Sequence, residues 1–400
     1  MDNEDRYKTM FQSFMNSAPK TIPLFNANTD HLNLPSLQPV DLRDISFNVA
    51  RIFKSEKTLL RLNGPITTIG DVHGHILDLF YVIQRLGLPP LRRYLFLGDL
   101  VDRGEFSIET VTIVFLMKLI WPEDVYIIRG NHEFLYQCST GGFTEQIQNE
   151  YFDSSITESF ICAFNFMPLA AVINNKYVAV HGGIGPSIKD LKTIEEVQRP
   201  ISEYGNEVAD TLTWSDPNKD LLEFAASTRG LGYYFGLEAT ENFLAQDKTS
   251  VIIRGHECVM EGIEDHFNGR VFTVFSASNY CGLVNNKGAA FIINEENNHE
   301  IITWGPFQYP SRARTYFIRP RSKTSLRKTL KATQSTKILP KYGGVIGDPP
   351  VKQKVPETKS YGEVKITIPK KISIRPMQDA RSKRLSSTFS SCDISSFDFQ

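Results

Sequence analysis

Six short apolar runs constrain the fold of this chain, because five of them are followed at once by polar residues set among glycines. They lie at 65–69, 94–97, 125–128, 177–180, 251–253 and 271–275. Their length and their β-branched and aromatic content predict strands buried on both faces. Between the first three runs, apolar residues recur with helical spacing within 76–86 and 108–119. This alternation predicts an α/β fold whose ligands gather at the carboxyl ends of the strands.

The polar motifs after these runs contain residue types that are unexpected in a poorly solvated place. They are GDVHG (70–74), GDLVDRG (98–104), RGNHE (129–133), HGG (181–183) and RGHE (254–257). Taken singly, an Asp-x-His pair commonly caps a turn, and a lone His is commonly a hydrogen-bonded core residue. Five such motifs at strand ends favour one shared site, because buried Asp, His and Asn need partners that a pair of metal ions supplies.

The spacing within the motifs suits two ions. Alternation along the chain directs Asp71 and His73 to the same side, so both can reach one ion. The carboxylate of Asp99 can bridge two cations, while neutral imidazoles and an amide oxygen complete the second ion without over-neutralising it. Two cations about 3.5–4 Å apart can clamp a phosphoryl group and acidify a bridging water. The residues alone therefore predict a two-metal phosphoesterase.

The motifs, in this order, resemble the metallophosphoesterase core of the phosphoprotein phosphatases. Three further segments carry the resemblance: LTWSDP (212–217), TRG with YYFG (228–236) and FSASNYC (275–281). The match runs from about residue 41 to 304 and is most similar to type 1 protein serine/threonine phosphatases, then to calcineurin. The resemblance implies two packed mixed β-sheets flanked by helices. It also implies hydrolysis of phosphoserine and phosphothreonine by direct attack of a metal-bridging water.

The resemblance also implies a role for each matched residue. One divalent ion would be held by Asp71, His73 and Asp99, and the other by Asp99, Asn131, His181 and His256. His132 would be the general acid, with Asp102 orienting it. Phosphate would be bound by Arg103, Arg229, Asn131 and Tyr280. The expected ions are Mn²⁺ in vitro and iron or zinc natively.

Several positions depart from the family pattern. Near the predicted site these are His75 for Gln, Gly255 for Ala, Glu257 for Gln and Ser278 for Pro. Loss of the proline predicts a less rigid loop before Tyr280. Segment 134–143 lacks the usual family sequence, and Asp265 with His266 replaces aromatic residues of type 1 enzymes. These changes predict a substrate groove and a docking groove for regulatory subunits that differ from those of type 1 enzymes.

Composition changes along the chain predict three parts: a variable leader (1–38), a catalytic domain (39–308) and a basic Ser/Lys/Pro-rich tail (309–400). Residues 310–400 contain 20 Lys and Arg against 6 Asp and Glu, a net of +14, which leaves −15 for residues 1–309. The tail composition predicts disorder. The contrast between an acidic body and a basic tail bears on which partners the protein binds and on its self-association, and not on its fold. The tail is either a solvated end, a phosphorylated segment or an autoinhibitor that folds over the body.

No apolar run approaches the roughly 20 residues of a membrane helix, and the first 20 residues lack the layout of a secretory signal. Five widely spaced cysteines predict reduced thiols and a cytoplasmic or nuclear location. Phosphoproteins are the expected partners, and no specific nucleic acid is predicted. Two other functions compete: a non-enzymatic phosphoprotein-binding scaffold and a dinucleotide polyphosphate hydrolase. The complete ligand set argues against the scaffold, and the segments around Trp214, Arg229 and Tyr280 argue against the hydrolase.

Overall fold

A computed structural model describes residues 3–319 of the chain. Its α-helices are α1 Asn3–Ser17, α2 Pro39–Ser55, α3 Ile76–Leu86, α4 Ser107–Ile120, α5 Leu135–Gly141, α6 Phe143–Tyr151, α7 Ser154–Asn165, α8 Leu191–Glu195, α9 Glu207–Trp214 and α10 Leu237–Gln246. Its strands are β1 Asn33–Pro35, β2 Leu59–Leu62, β3 Ile66–Ile69, β4 Tyr94–Phe96, β5 Val125–Ile127, β6 Ala170–Ile173, β7 Tyr177–Val180, β8 Asp216–Pro217, β9 Phe224–Ala226, β10 Tyr233–Phe235, β11 Val251–Arg254, β12 Ile263–His266, β13 Val271–Val274, β14 Gly288–Ile293, β15 His299–Trp304 and β16 Tyr316–Ile318. Three 3₁₀ turns lie at Ile22–Leu24, Asn131–Glu133 and Arg312–Arg314.

Two mixed sheets form the centre of the fold. One has the strand order β12-β13-β11-β7-β6-β2, and the other has the order β15-β14-β3-β4-β5. Smaller sheets of three strands (β8-β10-β9) and two strands (β1-β16) lie outside them. Within the first large sheet β7, β11 and β13 are parallel neighbours, and within the second β3, β4 and β5 are. The α/β prediction of two mixed sheets flanked by helices is confirmed.

Alternation along the strands explains the layering. In β4, Tyr94 and Phe96 pack into a core shared with α2, α3, α4 and α7, whereas Leu95 belongs to a second core between the two sheets. In β7, Val178 packs outward with α9 and α10 while Tyr177 packs inward against the other sheet. Both faces of these strands are therefore apolar and buried. Each such side chain contributes about 1.5–3 kcal/mol when it is fully buried.

The sheets meet at the end where the polar motifs emerge. Asp71, just past β3, forms an isolated parallel bridge with Phe275, just past β13. The Ser276 N–H donates to the Asp71 carbonyl (3.0 Å), and the Gly70 N–H donates to Ser276 Oγ (2.8 Å). The carboxyl ends of β3, β4 and β5 consequently face those of β7 and β11 across a short gap.

The ends of the described chain pack on this body. Tyr7, Phe11 and Phe14 of α1 are buried, and Phe11 meets Trp121 edge to face. β16 pairs in parallel with β1, which returns residues 316–318 to the N-terminal segment. Thus most of the predicted leader, together with residues 312–314 and 316–318 of the predicted tail, lies in regular structure. Residues 320–400 of the predicted tail, with the phosphorylation and autoinhibition hypotheses, lie outside the described residues.

Two observations bear on the predicted environment. No helix within residues 3–319 combines the length and apolarity needed to cross a membrane. Among the described residues, Cys138, Cys258 and Cys281 are free thiols.

Candidate metal centre

Sharp turns after the strands place the polar side chains. His73, Asp99 and His256 all have left-handed backbones, with φ values of 43°, 50° and 70°. Such a backbone is costly for a residue with a side chain and persists where the surroundings hold it. Gly130 permits a close approach of two strand ends, since a Cβ there would lie 2.2 Å from Asp99 Oδ1. The glycines next to the polar residues are thus needed to bring neighbouring strand ends together.

The first donor group comes from the five-stranded sheet. His73 Nδ1 donates to the Val101 carbonyl (2.7 Å), which leaves Nε2 without a proton in the neutral ring. That Nε2 lies 3.3 Å from Asp99 Oδ2 and 3.8 Å from Asp71 Oδ2. Asp71 Oδ2 is buried without a hydrogen-bond partner. Burial and the nearby charge of Asp99 raise the pKa of Asp71.

The second donor group includes residues from both sheets. His181 Nδ1 donates to the Leu97 carbonyl (2.9 Å), so its Nε2 is the free nitrogen. That atom lies 3.0 Å from Asn131 Oδ1 and 3.4 Å from Asp99 Oδ2. His256 Nδ1 lies 3.0 Å from the same Asn131 oxygen. Burial, followed by the charge of His181, holds the pKa of His256 well below its ordinary value, which keeps that ring neutral.

These residues fit a pair of divalent cations. Lone pairs of carboxylate, amide and imidazole atoms converge at both donor groups, and a cation satisfies them where another acceptor could not. Asp99 Oδ2 lies within 3.4 Å of an imidazole nitrogen on either side, so it belongs to both groups. Ligands of this kind suit Mn²⁺, iron and Zn²⁺. All six predicted metal-binding residues are brought together here.

His132 sits beside the first group. Its Nδ1 donates to Asp102 Oδ2 (2.7 Å), and the second Asp102 oxygen accepts from the Phe143 N–H (2.9 Å). The ring lies edge to face with that of His73, with 4.7 Å between ring centroids. A ligand atom of His132 falls within 4.8 Å of those of His73 and Asp99, so this geometry also offers His132 as a metal donor. The hydrogen bond to Asp102 directs His132 Nε2 away from that carboxylate.

The predicted phosphate-binding residues line a cavity of about 490 Å³ over the donor groups. Arg229 Nε is 2.6 Å from Asp216 Oδ2, and its NH2 lies 3.8 Å from Glu257 Oε1. Arg103 is exposed at the mouth of the cavity. Tyr280 lies over His73, with 5.5 Å between the ring centroids. Two arginines and a tyrosine therefore surround an opening above the candidate metal site.

Two carboxylates missed as functional residues hold this arrangement. Glu133 is fully buried and accepts hydrogen bonds from the backbone N–H groups of Asp99 (2.9 Å), Leu100 (2.8 Å) and Gly130 (2.9 Å). Burial and the charge of Asp99 raise the pKa of Glu133 to about 7. Asp216 accepts from Arg229 and from the buried Arg254 (2.7 Å). In the sequence, each of these acidic residues stands inside a family motif, Glu133 in RGNHE and Asp216 in LTWSDP, and that position is the signal that could have identified them.

The family departures have specific contacts. His75 Nδ1 donates to the His73 carbonyl (2.9 Å), and its Nε2 accepts from the Cys281 N–H (3.0 Å). Burial lowers the pKa of His75 to about 4, so the ring is neutral and can accept that bond. Ser278 Oγ accepts from the Phe307 N–H (3.1 Å). The loop before Tyr280 is thus anchored by hydrogen bonds where the family has a proline.

Segment 134–143 supplies a stack that supports the second donor group. Phe134 lies between the Arg129 guanidinium, 3.6 Å from its ring centroid, and the Tyr204 ring, 4.5 Å away. The Tyr204 hydroxyl donates to the Asn131 carbonyl (3.1 Å). Arg129 donates to the Ile201 carbonyl (2.6 Å) and to the Glu133 carbonyl (2.9 Å).

Comparisons with known proteins find a matching family and several similar solved structures. The calcineurin-like phosphoesterase family matches residues 64–260. A solved protein serine/threonine phosphatase from Saccharomyces cerevisiae, described as similar to human phosphatase PP5, is 29% identical with a TM-score of 0.65, covering 69% of this chain and 92% of that one. A cold-active protein-tyrosine phosphatase of Shewanella sp. is 16% identical with a TM-score of 0.45 and covers 63% and 84%. A metallophosphoesterase from Sphaerobacter thermophilus is 16% identical with a TM-score of 0.31 and covers 69% and 94%.

Proposed function

We propose that this chain, whose residues 64–260 match the calcineurin-like phosphoesterase family, dephosphorylates serine and threonine residues of proteins. The observation that carries the proposal is the position of Asp99 Oδ2 between His73 Nε2 and His181 Nε2, beneath a cavity that Arg103 and Arg229 line. The 29% identity to a serine/threonine phosphatase supports this substrate class.

Two divalent cations bound at these donors would supply charge stabilisation to the phosphoryl group and lower the pKa of an adjacent water. The chain itself supplies the remaining charge. Phosphate monoester transfer spreads negative charge over the phosphoryl oxygens, so fixed arginines are effective there. Asp216 orients Arg229 through its Nε, so the two terminal nitrogens, one of which lies 3.8 Å from Glu257 Oε1, face phosphate oxygens as a planar fork.

His132 supplies the proton for the leaving group. As the bond from phosphorus to the serine or threonine oxygen breaks, His132 Nε2 gives its proton to that oxygen, and no free alkoxide is released. Asp102 accepts the Nδ1–H of the same ring, which fixes the tautomer and stabilises the charged imidazolium before transfer. No cysteine takes part: burial raises the pKa of the Cys281 thiol, which lowers its nucleophilicity.

The test is hydrolysis of a phosphoserine peptide and of a small aryl phosphate by the purified chain with Mn²⁺. His132→Asn should abolish turnover while the bound metal content stays near that of the parent. His299→Asn, which changes an exposed histidine of β15, is the matched control and should leave the rate unchanged. Inactivity of the parent protein on both substrates would reject the enzyme. Loss of metal in the His132→Asn variant would instead identify that residue as a ligand.

The non-enzymatic scaffold is the second candidate and is separated by the same assay, since a scaffold would bind phosphopeptide without turnover. The proposal includes phosphoprotein substrates, regulatory subunits and a cytoplasmic or nuclear location. These parts of it rest on the sequence resemblance and on composition. The identity of the native ions likewise belongs to it, and metal analysis of protein purified without added Mn²⁺ tests it.

A further inference from the structure

Residues 305–318, here named the brace, follow β15 and cross the face of the molecule beside the candidate site. We propose that Tyr309 and Arg312 of the brace are positioning residues that hold the loops bearing Arg103 and Tyr280 in their phosphate-binding arrangement. This inference rests on the proposed phosphatase function. The brace lies beyond the residues that the family matches, which end at 260.

The brace is bonded to the loop that carries Tyr280. The Phe307 N–H donates to Ser278 Oγ (3.1 Å), and Asn279 Nδ2 donates to the Phe307 carbonyl (2.8 Å). Tyr309 packs directly on Gly282, where an added Cβ would lie 3.1 Å from the tyrosine ring. The bonds attach to the two residues before Tyr280, and the packing contact lies two residues after it.

The brace is also bonded to the loop that carries Arg103. The Arg312 N–H donates to the Glu105 carboxylate. Arg312 NH1 donates to the Glu105 carbonyl (3.0 Å). Glu105 is the second residue after Arg103, so the brace fixes the chain immediately beyond that phosphate-binding side chain.

Arg312 is the anchor of the brace. Its guanidinium forms two parallel bonds to Glu109 (2.8 and 3.0 Å) and a third to Glu150 (2.9 Å). It also lies 4.4 Å from the Phe317 ring centroid, and its side chain is only 16% exposed. Charge-assisted bidentate pairs of this kind are among the strongest hydrogen bonds in proteins, and lysine cannot reproduce their geometry.

Backbone strain explains why these loops need a brace. Asp102 and Arg103 are consecutive left-handed residues (φ 68° and 69°), and Asn279 and Cys281 flank Tyr280 in the same conformation (φ 47° and 56°). Such a backbone is strained in residues other than glycine and persists only while surrounding contacts determine it. Without the brace the loops can relax, and Arg103 and Tyr280 then leave their places. The metal donors are held separately, by strand ends and by Glu133.

The test compares Arg312→Ala, Arg312→Lys and Tyr309→Ala, which removes the ring that packs on Gly282, with the parent. Arg314→Ala is the matched control, because Arg314 is an exposed arginine of the same segment whose side chain bonds to the Asn28 carbonyl. KM and kcat for an aryl phosphate, and the inhibition constant of inorganic phosphate, are measured with Mn²⁺. Arg312→Ala should raise KM and the inhibition constant by about 10- to 100-fold, as misplacement of a binding group does, while kcat changes little. Arg312→Lys should recover part of the loss, and Tyr309→Ala should shift KM in the same direction by less.

Two results would overturn the inference. One is an unchanged KM and phosphate constant in Arg312→Ala and Tyr309→Ala. The other is a loss of kcat and bound metal that follows the loss of thermal stability, which indicates a purely structural segment. If the parent does not hydrolyse phosphate esters, the proposed function fails by itself. In that case calorimetric binding of inorganic phosphate to the Mn²⁺-loaded parent and variants still decides whether the brace holds the phosphate site.

Discussion

Asp102 shows how one carboxylate depends on the space around it. It is buried, left-handed, bonded to His132 and capped by the Phe143 N–H. Gly141 lies directly against it, where an added Cβ would be 2.2 Å from Asp102 Oδ2. The proton donor of the proposed reaction is therefore held by a carboxylate that has no room to move.

Gly141→Ala should displace the Asp102 carboxylate and leave His132 unoriented. We expect kcat to fall by about 10²-fold, the contribution typical of a positioned acid, with little change in bound metal. The measurement is kcat against pH for an aryl phosphate, with metal content determined in parallel. Thr140→Ala, one residue away on the exposed side of α5, is the control. Parent-like kcat in Gly141→Ala would contradict this role for Asp102.

Asp78 should make stability depend on pH. It accepts the Trp304 indole N–H (2.7 Å), and burial raises its pKa to about 7 from an ordinary value near 3.8. Between these values the folded state holds a proton that the unfolded state releases, so this contribution lowers stability as pH rises from about 4 to about 7. The total approaches about 4 kcal/mol at most.

Asp78→Asn removes that titration and should flatten the fall in unfolding free energy between pH 4 and 7. Urea unfolding at several pH values measures it, and Asp220→Asn on the exposed surface is the control. Equal slopes in parent and Asp78→Asn would show that Asp78 is ionised in the folded protein at low pH.

At the scale of single residues, the sequence predicted which candidate metal donors lie together. It did not predict the hydrogen bonds that hold them in place. The donors could be found because each follows a recognisable strand. Glu133 and Asp216 could not be assigned, because their partners are backbone amides and arginines that the fold brings from other strands. The replacement of proline by Ser278 predicted a looser loop, yet its hydroxyl bonds to Phe307, which is 29 residues away.

At the scale of elements, the stack of Arg129, Phe134 and Tyr204 joins β5 to the loop before α9. Phe134 is 1% exposed and contacts both partners through its ring faces. The Tyr204 hydroxyl then reaches the Asn131 backbone, so this packing supports one of the predicted metal donors.

Phe134→Ala should lower the free energy of unfolding by about 3–5 kcal/mol, because it opens a cavity next to a buried guanidinium. Chemical denaturation measures it. Phe152→Ala is the control, since that phenylalanine is 81% exposed and should change stability by less than about 0.5 kcal/mol. A loss below about 1 kcal/mol for Phe134→Ala would mean that the stack contributes little.

Strands and helices of the two sheets were predictable because their apolar periods are regular. The brace could not be predicted in this way, because most of it, from residue 309 onwards, resembles the basic, Pro-containing sequence that follows. Arg312 finds Glu105, Glu109 and Glu150 at separations of 162–207 residues, and local composition carries no record of such partners. The same holds for α1, whose Arg6 bonds to Asp44 (3.1 Å) of α2.

At the scale of the whole molecule, basic and acidic residues are unevenly distributed along the chain. Of the 44 basic and 45 acidic residues, 17 and 6 lie in 320–400, which gives +11, and 27 and 39 lie in 1–319, which gives −12. The predicted split between an acidic body and a basic tail is present in the sequence whether the tail is counted from residue 310 or from residue 320.

Removal of residues 320–400 should raise kcat/KM for Arg- and Lys-flanked phosphopeptides relative to Asp- and Glu-flanked ones, because the remaining body is net negative. The ratio should fall towards that of the full chain as salt increases, since screening shortens the reach of these charges. A ratio that is unaffected by truncation at low salt would contradict long-range steering. Truncation at 319 is also the proper test of autoinhibition, because truncation near 309 would remove Arg312 as well.

The candidate donors are split between the two sheets, with Asp71, Asp99 and Asn131 on one side and His181 and His256 on the other. Ions bound there would link the two sheets. Because only the folded state presents all of these donors together, ion binding would raise the free energy of unfolding. At one hundred times the dissociation constant this linkage amounts to about 2.7 kcal/mol. Chelation should therefore lower the melting temperature of the parent, and Asp99→Asn should blunt that response. A thermal-shift titration with Mn²⁺ would then measure the affinity for the ion without an activity assay.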